Sequence, residues 1–356
     1  MIGAIIRFLS FVPYFVSRFF ILNNIQFGFD FFPDSTVAPV DSAPPSKRSK
    51  PKAPPMDAHS MALELEKHPD YRVLRRLNPV TSYPPATQDA TLKTVVFLDT
   101  ETTGLDSQKE QIIELALLRV DVNMATGLPV GEVQVYDGLQ DPGRPIPPEV
   151  VELTGITDAD VAGKTLDEAR IAQLLDGVDW VVAHNAGFDR PFCEARLPQV
   201  ASLHWACSFA DMNWKAQGRS SAKLEMLALA EGWFYDAHRA EMDCHALLAV
   251  LARPLPKATH TGLAQLLQTA SQPSYRLQAT GAPFDAKDKL KARGYRWNGD
   301  LRVWHTMLAS DDALQLECEW LKANAYNQRS ATLQMEKLHA GVRYSSRPGE
   351  MMQISI

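Results

Sequence analysis

Cysteine is scarce. The four in 356 residues, Cys193, Cys207, Cys244 and Cys318, are scattered and form no CxxC pair, which excludes a zinc module and a disulfide framework and leads us to expect a reducing, cytoplasmic setting. No apolar run makes a clean membrane span. The best stretch, residues 1–32, is interrupted by Arg7, Pro13 and Arg18 and is followed by no small-residue cleavage site, so stable membrane insertion is not expected. Internal repeats are missing, and nothing in the composition suggests a collagen or a coiled coil. An overall excess of positive charge is missing too, the formal net charge being −6. What is present is ordinary globular material, 46% hydrophobic and 22% charged, long enough for two or three domains. The net charge hides an asymmetry: residues 92–252 hold 12 Lys/Arg against 25 Asp/Glu, a net of −13, and the remainder is +7.

Composition divides the chain. Residues 1–55 are apolar and then rich in Pro, Ser and Lys. Residues 1–32 are expected to be a weak membrane-associating segment, a targeting remnant or residues preceding the working protein, residues 33–56 a disordered linker, and residues 1–55 dispensable. Residues 56–90 have helical spacing that Pro69 splits into two short helices, a packing arm. Residues 91–253 interleave strands (LKTVVFL, IIELALLRVDV, Trp180 to Ala183) with helices (Leu166 to Leu175, Ser221 to Glu231, Ala240 to Leu251), an α/β domain. Residues 254–274 are expected to be a connecting segment with a Pro-marked break and a short helix, 275–326 a small basic and aromatic α+β module, and 327–356 a C-terminal tail. On that division, a cut after about residue 255 is expected to leave the chemistry intact.

Three acidic clusters stand in the α/β region. In FLDTETTGL, Asp99 and Glu101 are two apart on a strand and so share a face at its carboxyl end. Adjacent carboxylates repel unless a cation neutralises them, and a hard divalent ion with oxygen ligands suits them. An isolated DxE is, however, more often a solvated strand end. Thr102, Thr103 and Gly104 form a tight turn with hydroxyls and N–H groups suited to a phosphate. In HNAGFD, Asp189 could equally cap the helix that Pro191 enters. In HRAEMD, Asp243 lies on a helix, and a lone His238 before a helix is more often structural than catalytic.

Taken together, the three clusters resemble the DEDD family of 3′–5′ exonucleases. His238 lies five residues before Asp243, and Arg rather than Tyr stands at position 239, which resembles the DEDDh branch; Thr154-Gly155-Ile156-Thr157 resembles the family's segment between its first two motifs. The resemblance spans about residues 92–252. It implies a ribonuclease H-like mixed five-stranded sheet flanked by helices, and a DNA exonuclease releasing nucleoside 5′-monophosphates, with RNA trimming or an idle nucleic-acid scaffold as alternatives. It further implies two Mg²⁺ or Mn²⁺ ions held by Asp99, Glu101 and Asp243, with Asp189 completing the second site, and His238 as general base. The implied partner is a single-stranded or frayed 3′ end of DNA, or of RNA, and a polymerase or repair complex is compatible. Thr102, Thr103, Gly104, Leu105, His184 and Phe188 are the candidate substrate contacts, although Leu105 and Phe188 could be core residues.

The stretch Tyr275 to Thr306 has seven Lys/Arg against three Asp/Glu, with Tyr275, Phe284, Tyr295, Trp297 and Trp304 interleaved. Rings that stack on bases beside cations that meet phosphates are the composition of a single-strand binding surface. A small module whose aromatic residues form its core would read the same way.

Overall fold

A computed structural model describes residues 57–356; the apolar and Pro-rich extension lies outside the described residues. The first described element is helix α1 (Ala58–Glu66), capped by the Asp57 carboxylate. No second helix follows Pro69. Arg75–Arg76 (β1) instead pairs in parallel with Trp233–Phe234 (β7), because the N–H groups of Arg75 and Leu77 find carbonyl partners at Gly232 and Phe234, each at 2.9 Å.

The first sheet is built from β2 (Leu92–Thr102), β3 (Ile112–Asn123), β4 (Leu128–Leu139), β5 (Trp180–Ala183) and β6 (Trp205–Cys207), in the order β4-β3-β2-β5-β6. The first three form an antiparallel meander, while β5 runs parallel to β2 and β6 parallel to β5. This is the expected mixed five-stranded, ribonuclease H-like sheet. Helices α2 (Pro148–Thr154), α3 (Asp158–Val161), α4 (Glu168–Leu175), α5 (Ala186–Arg196), α6 (Leu224–Ala230) and α7 (Ala240–Leu251) complete this region.

Strand β2 is apolar on both faces because both are covered. Val95 and Phe97 join the core beneath α6 and α7, whereas Val96 and Leu98 join the core beneath α4 and α5. The alternation continues past the apolar run, so Asp99 and Glu101 emerge on the α7 face and Thr100 on the α5 face.

Two expected boundaries are corrected. Helix α8 (Gly262–Ser271) is no connector: Leu263, Leu266, Leu267 and Ala270, at helical spacing, complete the α7-side core. Nor is the C-terminus a tail. Strands β8 (Ser274–Gln278), β9 (Arg296–Asn298), β10 (Val303–Leu308), β11 (Thr332–Leu338) and β12 (Glu350–Ser355) form a second, antiparallel sheet in the order β12-β11-β8-β10-β9. Helices α9 (Lys287–Ala292) and α10 (Asp311–Asn324) accompany it, with Leu290, Leu314 and Leu321 packed on Tyr275, Leu277 and Leu333.

The loop between β11 and β12 is tied to the first sheet's layer. Fully buried Arg190 of α5 pairs with Glu194 at 2.7 Å and donates to the carbonyls of Arg343 at 2.7 Å, Gly341 at 2.6 Å and Ala340 at 3.1 Å. Buried Arg343 returns the contact by pairing with Asp211 at 2.8 Å, and the Trp205 N–H donates to the Ala340 carbonyl at 3.0 Å. Removing a buried, fully bonded cation costs about 3–5 kcal/mol, and a buried Leu→Ala change about 2–5 kcal/mol. Arg190→Ala and Leu266→Ala should each lower the midpoint of chemical denaturation accordingly, and a chain cut after residue 255 should lose its cooperative melt. A truncated chain that melts like the full protein would restore the simple connector-and-tail division.

Candidate active site

The site stands at the carboxyl ends of β2 and β5, where open α/β sheets place their ligands. Asp99, Glu101 and Asp243 each offer a carboxylate oxygen within 4.8 Å of the others. The pairing follows from the fold: Asp99 and Glu101 face α7, and Asp243 lies in the first turn of α7. Its Oδ2 accepts from the backbone N–H groups of His238 at 2.8 Å and Arg239 at 3.2 Å, and its Oδ1 accepts from the Tyr235 hydroxyl at 2.8 Å. These contacts fix the carboxylate on its helix.

Asp189 arrives from the other face of the sheet. It is not the cap of α5: the helix starts three residues earlier, after Asn185, which takes the left-handed conformation at φ 74° that Asn tolerates well. Asp189 is buried in the first turn and accepts from Thr100 N at 3.2 Å and Thr100 Oγ1 at 2.9 Å. Thr100 lies between Asp99 and Glu101, so one β-strand carries two of the acids and anchors a third, Asp189.

The electrostatics are those of an uncompensated cluster. Burial, then the charges of Asp189, Asp243, Glu101 and Glu114, push Asp99 well above the usual carboxylate range. Burial and the charges of Asp243, Glu114 and Asp189 raise Glu101 to about 8, and burial raises Asp189 to about 7. A hard cation bound among them would relieve this, and the all-oxygen donor set fits one. Directly across the ladder from Glu101 lies Glu114, fully buried yet answered: Arg239 reaches it at 2.8 Å and the Ala240 N–H at 2.9 Å.

The remaining candidates divide. The His238 backbone is left-handed, at φ 63°, and its side chain is exposed beside the cluster with no ring hydrogen bond among the described residues. Leu105, 87% exposed, stands free at the rim. Phe188 packs on Phe192 with ring centroids 5.1 Å apart. The threonine hydroxyls expected to meet substrate are committed within the turn: Thr102 Oγ1 donates to the Gly104 carbonyl at 2.6 Å, and Thr103 Oγ1 donates to Glu110 at 2.6 Å while accepting from Gln111 N. A Cβ on Gly104 would lie 3.0 Å from the Glu110 side chain, which would have to shift by a few tenths of an ångström to admit it. His184 is also turned inward, with Nδ1 2.7 Å from Ser208 Oγ, and burial lowers it to about 4, so it is neutral at pH 7. Sequence reasoning missed Thr100, Glu114 and Tyr235. Only Glu114 carried a signal, a lone acid inside the apolar run IIELALL.

A family model described as exonuclease, of the ribonuclease T type, matches residues 96–251. The DNA polymerase III subunit epsilon of Treponema pallidum is 31% identical over 163 residues, which are 42% of this chain and 71% of that protein. The chain belongs to the DEDDh exonuclease family. Another relative, the PolC-type DNA polymerase III of Thermotoga maritima, is 33% identical over 138 residues, 38% of this chain; the match spans only 9% of that much longer protein. The zinc-bound exonuclease I–ssDNA complex of E. coli aligns with 63% of this chain and 66% of that one, at 18% identity and a TM-score of 0.45. Among the described residues no helix is long and apolar enough to cross a membrane.

Raised carboxyl pKa values have a definite consequence for stability. Between about pH 4.5 and 8, folded Glu101 keeps a proton that the unfolded chain has released, so without metal the folded state loses stability as pH rises through that window. Asp99→Asn and Glu101→Gln should therefore melt higher than the parent at pH 8 in chelator, with the gap closing toward pH 4. Variants that melt lower at pH 8 would contradict the assigned strain.

Proposed function

We propose that this DEDDh exonuclease removes nucleotides from the 3′ end of DNA, releasing nucleoside 5′-monophosphates with the help of two divalent ions, Mg²⁺ or Mn²⁺. The observation that carries the reading is the convergence of Asp99, Glu101 and Asp243 within 4.8 Å, on one face of β2 and with no basic side chain of the described residues among their hydrogen-bond partners. Such acids raise one another's protonation unless cations are held between them. When bound, the ions stabilise charge on the attacking and leaving oxygens of the phosphodiester.

The chain's own residues do the rest. Asp99, Glu101 and Asp243 hold the ions, and Asp189, anchored on Thr100, completes the second position. His238, exposed on a left-handed turn next to Asp243, takes the proton of the attacking water, a task that an imidazole suits near neutral pH. Leu105 and Phe188 border the place where the terminal sugar and base would lie, while Thr102, Thr103 and Gly104 shape the turn behind them. His184, neutral and bonded to Ser208, braces the β5 end rather than meeting charge. The substrate is a single-stranded or frayed 3′ end, and a polymerase or repair complex fits as a partner because the relatives are polymerase III proteins. We assign catalysis to residues 91–271, with α8 included, and treat the second sheet as an accessory module.

Purified full-length protein should shorten 5′-labelled single-stranded DNA stepwise and release the terminal nucleotide of 3′-labelled DNA, only with Mg²⁺ or Mn²⁺. Asp99→Asn should abolish the reaction, and His238→Ala should slow it about 10²–10⁴-fold without weakening metal binding. Undiminished hydrolysis in excess chelator would overturn the metal-dependent reading, and preference for matched RNA would replace DNA as the substrate.

A further inference from the structure

We propose that the second sheet carries a stacking site for an unpaired DNA base, in a cavity of about 520 Å³ bounded by Phe284, Trp297 and Trp304. The proposal rests on the DNA exonuclease reading above and adds to it a second contact with the same strand. The cavity lies within the volume range of small-ligand sites.

The five aromatic residues of Tyr275 to Thr306 separate cleanly. Tyr275 and Tyr295 are buried and belong to the core of the second sheet. Phe284 is 83% and Trp297 52% exposed, a cost to a soluble surface that packing of the module does not explain. Trp297 and Trp304 are paired across β9 and β10, their ring centroids 5.6 Å apart, and Trp304 is half-buried against the core, so the wall they form is fixed before any ligand arrives.

Charge gives the cavity its class of ligand. Lys287 and Arg302 line it, and among the described residues no acidic side chain does. Lys287 Nζ stands 5.6 Å from the Phe284 ring centroid, and Arg302 is held at φ 50° in the β9–β10 turn. Exposed ring faces with adjoining cations and no carboxylate suit a base together with its phosphates. The need is plain from the other end of the molecule: residues 92–252 carry a net of −13, so a polyanion must be attracted from elsewhere, and Tyr275 to Thr306 carries +4. The neighbouring cations Lys289 and Arg293 serve the fold instead. Lys289 bonds the Asn324 carbonyl at 2.9 Å, and Arg293 pairs with Glu317 at 3.0 Å and covers Trp320.

The test uses the full chain in chelator, where hydrolysis is stopped, and reads the anisotropy of a 5′-labelled oligothymidylate of twelve nucleotides. Trp297→Ala and Phe284→Ala should each weaken binding about 5- to 100-fold, the loss of one stacked base, whereas Trp297→Tyr should keep most of the affinity. With Mg²⁺ restored, both alanine variants should hydrolyse a dinucleotide like the parent. Unchanged oligothymidylate affinity in the double variant, with a native near-ultraviolet dichroism spectrum, would overturn the proposal and leave a protein-docking face. Tighter binding of matched oligouridylate would overturn the assignment to DNA. Because binding is read without metal, a chain that hydrolyses nothing would refute the exonuclease reading while this site is still tested.

Discussion

The burial of mutually repelling carboxylates at the end of an enclosed strand is the constraint on which the candidate site depends. β2 is enclosed on both faces, so the acids that follow its apolar run have little water to spread their charge into, and burial is the largest cause of the shift at both Asp99 and Glu101. The contrast with Glu114 is instructive. That acid is equally crowded and more deeply buried, yet Arg239 and the start of α7 satisfy it. Two neighbouring acids, one answered within the protein and one not, separate a structural carboxylate from one suited to a cation.

Two further contacts keep candidate-site acids in place. Thr100 uses the opposite face of the same strand to hold Asp189, so the two faces of β2 carry or anchor Asp99, Glu101 and Asp189, while Asp243 is fixed by Tyr235 and the turn before α7. Helix α5, which presents Asp189, is gripped at the next residue by the β11–β12 loop through Arg190. The second sheet is therefore bonded to the helix that carries a site acid, and its loss would be felt at the site as well as in any binding it provides.

Much of this was legible in the sequence, for reasons that can be named. The β2 run LKTVVFL and the α7 face have the periods of buried elements, and the acids punctuate them at spacings that place Asp99, Glu101 and Asp243 together. Tyr235 and Thr100 were invisible because their roles depend on which helix packs on which face, a long-range fact with no local pattern. The second sheet was divided wrongly because β12 is an exposed edge strand with little apolar alternation, and its pairing with β11 spans a loop. The turn residues Thr102 and Thr103 follow the acids directly in the chain, but their hydroxyls have nearer partners in Gly104 and Glu110.

The central claim is that the acidic cluster is a divalent-metal site, and counting the ions tests it most directly. Paramagnetic titration of the full chain with Mn²⁺, in the presence of a nucleoside 5′-monophosphate, should give two saturable ions per chain, and Asp99→Asn should abolish both while the protein stays folded. Absence of saturable Mn²⁺ binding in the parent chain, or binding unaltered in the Asp99 variant, would contradict the account.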